Sequence, residues 1–373
     1  NEIGIILKNL FKIVMLNKKE VFHIVLWMPS WIGDVVLSLP TLQTLRSIYP
    51  DARITAIVKF PTGQLLSNHT LVDSILQFPE NKGDGHIKQY AYVKRLRKYN
   101  FDLGITFSNS FHSALMLMCA GARVRIGYRT DGRQILLTDS IPVTQKNKKK
   151  LYRVNYFHKI LVHLNADSPP SCYDPKWIEV NSREQKKTLR SLRLLKKDLI
   201  ITIHPSASKI ERAWHAERFG ILCQSLIKAY SVKIILVGTN AEKLLLEKIS
   251  LFCPPEKVII AEKNSLIEVA HLLKASQLFI GNDSGLLHVA SLVGTPVVGI
   301  FGPGRASTTG PFIDFKKQEI VSRNYSCSPC SQHFFKECEP SLHRKPECLE
   351  SISVKEVFEA VNRIAKRLEL FKK

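Results

Sequence analysis

The sequence predicts an α/β protein with parallel sheets, arranged as two halves. Three observations predict it: short apolar runs recur along the chain, helical spacing separates them, and the alternation pauses at a turn-rich stretch before starting again. FHIVLWM (22–28) ends at Pro29, as a strand buried on both faces does. After the loop Pro29-Ser30-Trp31-Ile32-Gly33-Asp34, apolar residues at Val35, Leu39, Leu42 and Leu45 give a helix that stops near Pro50. Strands follow at 53–58 and 74–78, then a basic helix around 87–98, a strand at 102–107, an apolar helix over 110–121 and a strand at 123–128. A polar run at 144–150 precedes a helix over 151–165, and NADSPPSCYDP (165–175) is the richest turn cluster mid-chain.

The pattern then restarts. Strands at 198–203, 232–237, 278–280 and 296–301 alternate with helices at about 215–230, 240–250, 265–275 and 284–293. The join falls near 170–185. The segment 352–369 carries Val354, Val357, Ala360, Val361, Ile364 and Leu368 on one face, a closing amphipathic helix. The expected boundaries are a leader at 1–21, a first domain at 22–180, a second at 181–351 and the closing helix at 352–373.

A chain of 373 residues suits two domains, and 45% hydrophobic with 23% charged residues argues against disorder. The formal charge of +22 is uneven: residues 81–160 hold sixteen Lys/Arg against four acids, more than half of the excess. Such a field draws polyanions such as nucleic acid, an anionic membrane face or a phosphorylated acceptor; a solvated basic surface is the plainer alternative. The basic residues are not interleaved with stacking aromatics, so nucleic acid is not expected as a partner. No run of about 20 apolar residues predicts a membrane span. The leader lacks a signal-peptide cleavage site, and the eight cysteines are expected to be reduced thiols in a cytoplasmic protein.

The chemistry is expected at the carboxyl ends of strands. Gly281-Asn282-Asp283-Ser284-Gly285-Leu286-Leu287-His288 follows an apolar strand; Asp283 or Ser284 would cap the next helix, and free N–H groups there suit a diphosphate. An ordinary βα turn explains the same residues, since GxGxxG is incomplete. Asp34 is the carboxylate of the loop after the first strand and suits a general base or, equally, a helix cap. Ser206, Ser208, Lys209 and Arg212 place hydroxyls and cations where a leaving diphosphate develops charge. Glu242 suits ribose hydroxyls or a first-turn helix acid. Cys327-x2-Cys330 has zinc-like spacing, but Cys338 and Cys348 do not repeat it, so no metal ligand is assigned and the role of the four stays open.

On these residues the chain resembles the lipopolysaccharide heptosyltransferases, glycosyltransferase family 9. The matching segments are Pro29–Asp34 with the following VVLSLPTLQTLRSIYPDARI, His204 to Phe219 with Trp214, Asn282 to His288, Gly294-Thr295-Pro296 and Phe301-Gly302-Pro303, spread over roughly 22–365. The Trp of the first loop and the cysteine-bearing tail are more similar to heptosyltransferase II than to I. The resemblance implies a GT-B fold, two Rossmann-like domains facing across a cleft, and transfer with inversion from ADP-heptose to the anionic lipid A core. It implies no cofactor, no active-site metal and peripheral attachment to the cytoplasmic face of the inner membrane. It places Asp34 as base, Asp283, Ser284, Gly285 and His288 in the donor block, and Glu242 on the nucleotide side. The family's phosphate-binding Lys falls on Arg212, with Lys209 as the substitute. The basic region of the first domain then takes the acceptor, with Lys94, Arg95, Arg123, Arg125 and Arg129 as its residues.

Overall fold

The computed structural model describes residues 20–67, 70–79, 85–144, 151–166, 168–173, 180–195, 197–261, 265–323, 325–327, 330, 332–336 and 338–371. Most of the leader, Lys82 and the basic 145–150 run lie outside them. The chain divides into two compact units, Asn1–Ser171 and Cys172–Lys373.

Unit 1 carries β1 (His23–Trp27), α1 (Ile32–Ile48), β2 (Arg53–Val58), β3 (Ser74–Gln77), α2 (Gly85–Arg95), β4 (Leu103–Thr106), α3 (Phe111–Cys119), β5 (Val124–Tyr128), β6 (Asp139–Ile141) and α4 (Arg153–His158). The strands form one parallel sheet in the order β3-β2-β1-β4-β5-β6. Every residue of β1 is buried, as an apolar run with helices on both faces requires. Val25, Trp27, Ile57, Phe101 and Leu117 share one core cluster.

Unit 2 repeats the plan with α5 (Ser182–Ser191), β7 (Ile200–His204), α6 (Ala216–Tyr230), β8 (Lys233–Val237), α7 (Lys243–Ser250), β9 (Val258–Ala261), α8 (Leu266–Ala275), β10 (Leu278–Asn282), α9 (Gly285–Leu292), β11 (Val297–Phe301), β12 (Gln318–Ser322) and α10 (Val354–Leu368). Its parallel sheet runs β12-β11-β10-β7-β8-β9. The apolar stripe of α10 seats Val357, Ala360, Val361 and Ile364 in the same core as Ile234 and Leu278. A capping box starts it: Ser353 accepts from the Glu356 N–H, and Glu356 accepts from Ser353.

Both sheets therefore have one topology, and in each the connections diverge beside the first strand, between β1 and β4 and between β7 and β10. Loops leaving the carboxyl ends there run to opposite faces, which opens the crevice where such sheets take ligands. Sequence reading finds nine strands and misses β6, β9 and β12. All three are sheet edges and only partly covered; β6 and β12 lack an apolar run, whereas β9, Val258–Ala261, is apolar throughout and is missed all the same. It also misses α5, whose sequence SREQKKTLRS shows almost no apolar stripe. No described helix is long and apolar enough to cross a membrane.

Candidate active site

In unit 2, β7 and β10 pair side by side, with His204 in register with Gly281, so the loops that follow start together. Asn282, fully buried, stitches them. Its amide donates to the carbonyls of Pro205 (2.9 Å) and Ser206 (3.3 Å), and its Oδ1 accepts from the Trp214 N–H (2.9 Å). The Trp214 indole in turn donates to the Ile352 carbonyl (3.0 Å), tying the loop to the tail.

Two polar pairs cross this crevice, and a third ties the β7 loop to the turn after β8. His204 Nδ1 lies 3.1 Å from Ser284 Oγ. Arg212 pairs with the Asp283 carboxylate and donates to the Asp283 carbonyl at 2.9 Å. Ser206 hydrogen-bonds Glu242, which also accepts from the N–H (2.6 Å) and hydroxyl (2.9 Å) of Thr239. Burial pushes the Glu242 carboxyl up, but the bonds from Ser206 and Thr239 and the nearby His204 outweigh it and hold the group below the ordinary carboxylate range. His204 is lowered by burial against the pull of Glu242. For His288, burial first and Arg212 second lower the imidazole to about 4, so it is neutral near pH 7. His288 Nδ1 and Arg212 Nε are buried without a hydrogen-bond partner.

Ser284 is the N-cap residue of α9, yet its side chain makes no capping bond. The expectation that Ser284 or Asp283 caps α9 therefore holds for the position of Ser284 but not for the bond: Ser284 turns to His204 and Asp283 to Arg212. Gly304 makes the second pair possible, since a Cβ there would collide with the Asp283 carboxylate. Lys209 and Ser208 are exposed, and the Lys209 ammonium sits 5.1 Å from the Phe334 ring centroid. The unit thus gathers Ser206, Arg212, Glu242, Asp283, Ser284, Gly285 and His288 at one switch point, with Lys209 at its rim.

In unit 1, Asp34 lies in the first turn of α1, whose N-cap is Trp31, so Asp34 is not the cap. Its carboxylate lies 3.3 Å from the Arg153 guanidinium, both partly exposed. That guanidinium stands over the rings of Tyr156 (5.4 Å) and Phe157 (5.9 Å). Tyr156 donates to Asn109 Oδ1 (2.8 Å), and buried Arg133 donates to the Tyr128 carbonyl (2.8 Å) and to the Ser108 carbonyl. The loops after β4 and β5 are thereby locked beside the Asp34 loop. The result is a proton acceptor next to a cation that can take an anionic group.

The five acceptor candidates separate. Arg129 follows β5 at the carboxyl edge, with its Nε 3.3 Å from Ser140 Oγ. Lys94 and Arg95 end α2, which runs back to the amino edge, and Arg123 precedes β5 at that same edge. Arg125 is spent inside the fold, donating to the carbonyls of Leu136 and Ala122, each at 2.7 Å. The five therefore do not share one edge of the sheet, since charge counted along a chain does not distinguish the two edges. Sequence reasoning missed Arg153, Asn282 and Arg133. Asn282 stood inside a quoted motif and could have been found there. Arg153 is 119 positions from Asp34 and carries no spacing signal.

A family model described as glycosyltransferase family 9 (heptosyltransferase) matches residues 89–338. The chain is 28% identical over 286 residues to lipopolysaccharide heptosyltransferase 3 of Escherichia coli K12, covering 72% of this chain and 79% of that protein. It is 27% identical over 303 residues to lipooligosaccharide heptosyltransferase 2 of Haemophilus influenzae, covering 77% and 85%. The structure of E. coli ADP-heptose lipopolysaccharide heptosyltransferase II superposes with a TM-score of 0.77 at 21% identity, over 93% of this chain and all of that one. A family 9 glycosyltransferase from Veillonella parvula gives 0.76 at 20%, over 93% and 97%. The fold expected from the resemblance, GT-B, is the fold found.

Proposed function

The chain belongs to glycosyltransferase family 9, the heptosyltransferases, and from that membership we propose that it moves a heptose from ADP-heptose onto a heptosyl-bearing, anionic lipid A core in lipopolysaccharide synthesis. The observation that carries this reading is the crevice between β7 and β10, where Arg212, Asp283, Ser284 and His288 meet the amino end of α9. A diphosphate there meets main-chain N–H groups, the helix dipole and a guanidinium. Glu242, held ionised by Ser206 and Thr239, accepts from ribose hydroxyls.

Asp34 removes the proton of an acceptor hydroxyl, whose oxygen forms the new bond to the anomeric carbon. The bond from that carbon to the β-phosphate oxygen breaks, and ADP leaves with the electron pair. Arg212 and the α9 amino end stabilise the charge that develops on it. Arg153 and Arg129, at the carboxyl edge with Asp34, hold the phosphorylated acceptor. Lys94, Arg95 and Arg123, at the opposite edge, meet anionic headgroups instead and keep the enzyme at the cytoplasmic face of the inner membrane.

Mass spectrometry of purified Kdo-lipid A core after incubation with enzyme and ADP-heptose tests the reading. The acceptor is offered with and without a first heptose. Gain of one heptose on the preloaded acceptor is the expected result. Gain on the bare core assigns the first-heptose reaction, and no gain on either by folded, ADP-binding protein rejects the donor–acceptor pair.

A further inference from the structure

The cysteine tail is a part of unit 2 that this reaction does not use. Cys327 and Cys330 form one close pair and Cys338 and Cys348 follow at irregular spacing, yet all four line one cavity, together with His333 and Phe334. None of the four is in a disulfide. The Gln332 N–H, two residues past Cys330, donates to its Sγ at 3.3 Å.

We propose that these four cysteines bind one metal ion of the tetrahedral, thiolate-preferring class, zinc or ferrous iron, and that the ion fastens the tail behind the nucleotide crevice. Soft sulfur ligands select these metals, and a metal–sulfur length of about 2.3 Å draws four thiols from the cavity wall to one centre.

The lobe touches both crevice loops. Pro303 lines the cavity and precedes Gly304, which packs on Asp283. Phe334 carries the Lys209 ammonium, and Lys345 donates to the Ile210 carbonyl at 2.6 Å. Among the described residues, the group whose ligand atoms already lie within 4.8 Å of one another is instead His215, His343 and Glu350. There Glu350 already pairs with the Arg218 guanidinium at 2.7 Å, a cation that repels a metal.

The test is elemental analysis of tag-free, full-length protein after gel filtration, as wild type and as Cys327→Ser/Cys330→Ser, with folding checked by circular dichroism. The expected result is one equivalent of zinc or iron in the wild type and loss of it in the variant. A mercurial thiol reagent should also release the ion from the wild type to a chromophoric chelator, which decides the matter should the variant not fold. Metal-free wild type with all four thiols reactive overturns the proposal. So does an ion that the mercurial fails to release or that folded variant retains. None of these readouts depends on which sugar the enzyme transfers.

Discussion

Replacing Arg212 by Met separates what the Arg212–Asp283 pair does for the fold from the nucleotide contact proposed for Arg212. The Asp283 side chain is 7% exposed and that of Arg212 20% exposed, so truncation strands a nearly buried carboxylate beside water-poor neighbours. Breaking a buried pair costs about 3–5 kcal/mol; the partial exposure of Arg212 puts this one near the lower end, about 3 kcal/mol or roughly a hundredfold in the local folding constant. Asp283→Asn alone costs less, because the guanidinium left behind can reach solvent. In Arg212→Met/Asp283→Asn no buried charge is stranded, so about 2 kcal/mol of the loss should return. Hydrogen exchange of the β7 and β10 amides reads this locally, which matters in a chain of two units. ADP affinity, measured by calorimetry, should fall roughly 10–100-fold in Arg212→Met and stay low in the double variant, since a charged hydrogen bond to phosphate is gone in both. Simple additivity of the two exchange losses would refute the coupling. ADP binding restored in the double variant would refute the phosphate role.

Other expectations follow from the same geometry. Asp34→Asn should bind ADP normally and lose turnover by about 10²–10⁴, the usual worth of a positioned base; comparable turnover removes Asp34 from that role. Gly304→Ala should mimic Arg212→Met in hydrogen exchange, because the added methyl displaces the Asp283 carboxylate, and native-like protection would show the contact to be soft. His288 is depressed from 6.5 to about 4, so between those values the unfolded chain binds the extra proton. Stability from this group is therefore complete above pH about 6.5 and is lost as pH falls toward 4, by about 3 kcal/mol, and His288→Gln should flatten that part of the pH–stability curve. Lys94→Gln/Arg95→Gln/Arg123→Gln should weaken binding to anionic vesicles several-fold at low salt and leave ADP affinity intact; unchanged vesicle binding removes the membrane role of that edge.

The architecture was legible because both faces of each sheet are covered. A strand buried on both sides must be apolar throughout, and β1, β7, β10 and β11 announce themselves in that way. Edge strands β6 and β12 answer to one neighbour and partial cover, so their composition is weakly constrained, whereas β9 keeps an apolar signature in spite of its edge position. The candidate site divides along the same line. Residues that sit where a strand gives way to a helix, such as Asp34, Asp283 and Ser284, keep a local signature, because the turn itself demands small and polar side chains. Arg153 sits beside Asp34 through the packing of α4 against α1. Nothing local to residue 153 requires a cation. The acceptor candidates divide for a related reason: α2 carries Lys94 and Arg95 one helix length away from the edge on which it begins, whereas Arg129 stays at the carboxyl edge.

The two switch points also differ in how they hold their loops, and that difference bears on function. In unit 2 the crevice is framed by side chains that are themselves buried, among them Asn282, Asp283 and His288, and the pairs across it fix loop positions before any ligand arrives. Such preorganisation suits a donor whose leaving group must be stabilised as charge develops, because groups already aligned need no reorganisation at that moment. In unit 1 the supporting network of Arg133, Tyr128 and Tyr156 is buried, whereas Asp34 and Arg153 at its tip stay partly exposed. An exposed ion pair is weak and easily exchanged. On the proposed mechanism a phosphorylated acceptor takes Arg153 for itself, which releases Asp34 to receive the proton. The Asp34–Arg153 contact is then a resting arrangement that the acceptor breaks, and Arg153→Gln should raise the acceptor KM by more than it lowers kcat. A pure kcat loss in that variant, with acceptor KM unchanged, would instead assign Arg153 to holding Asp34 in place.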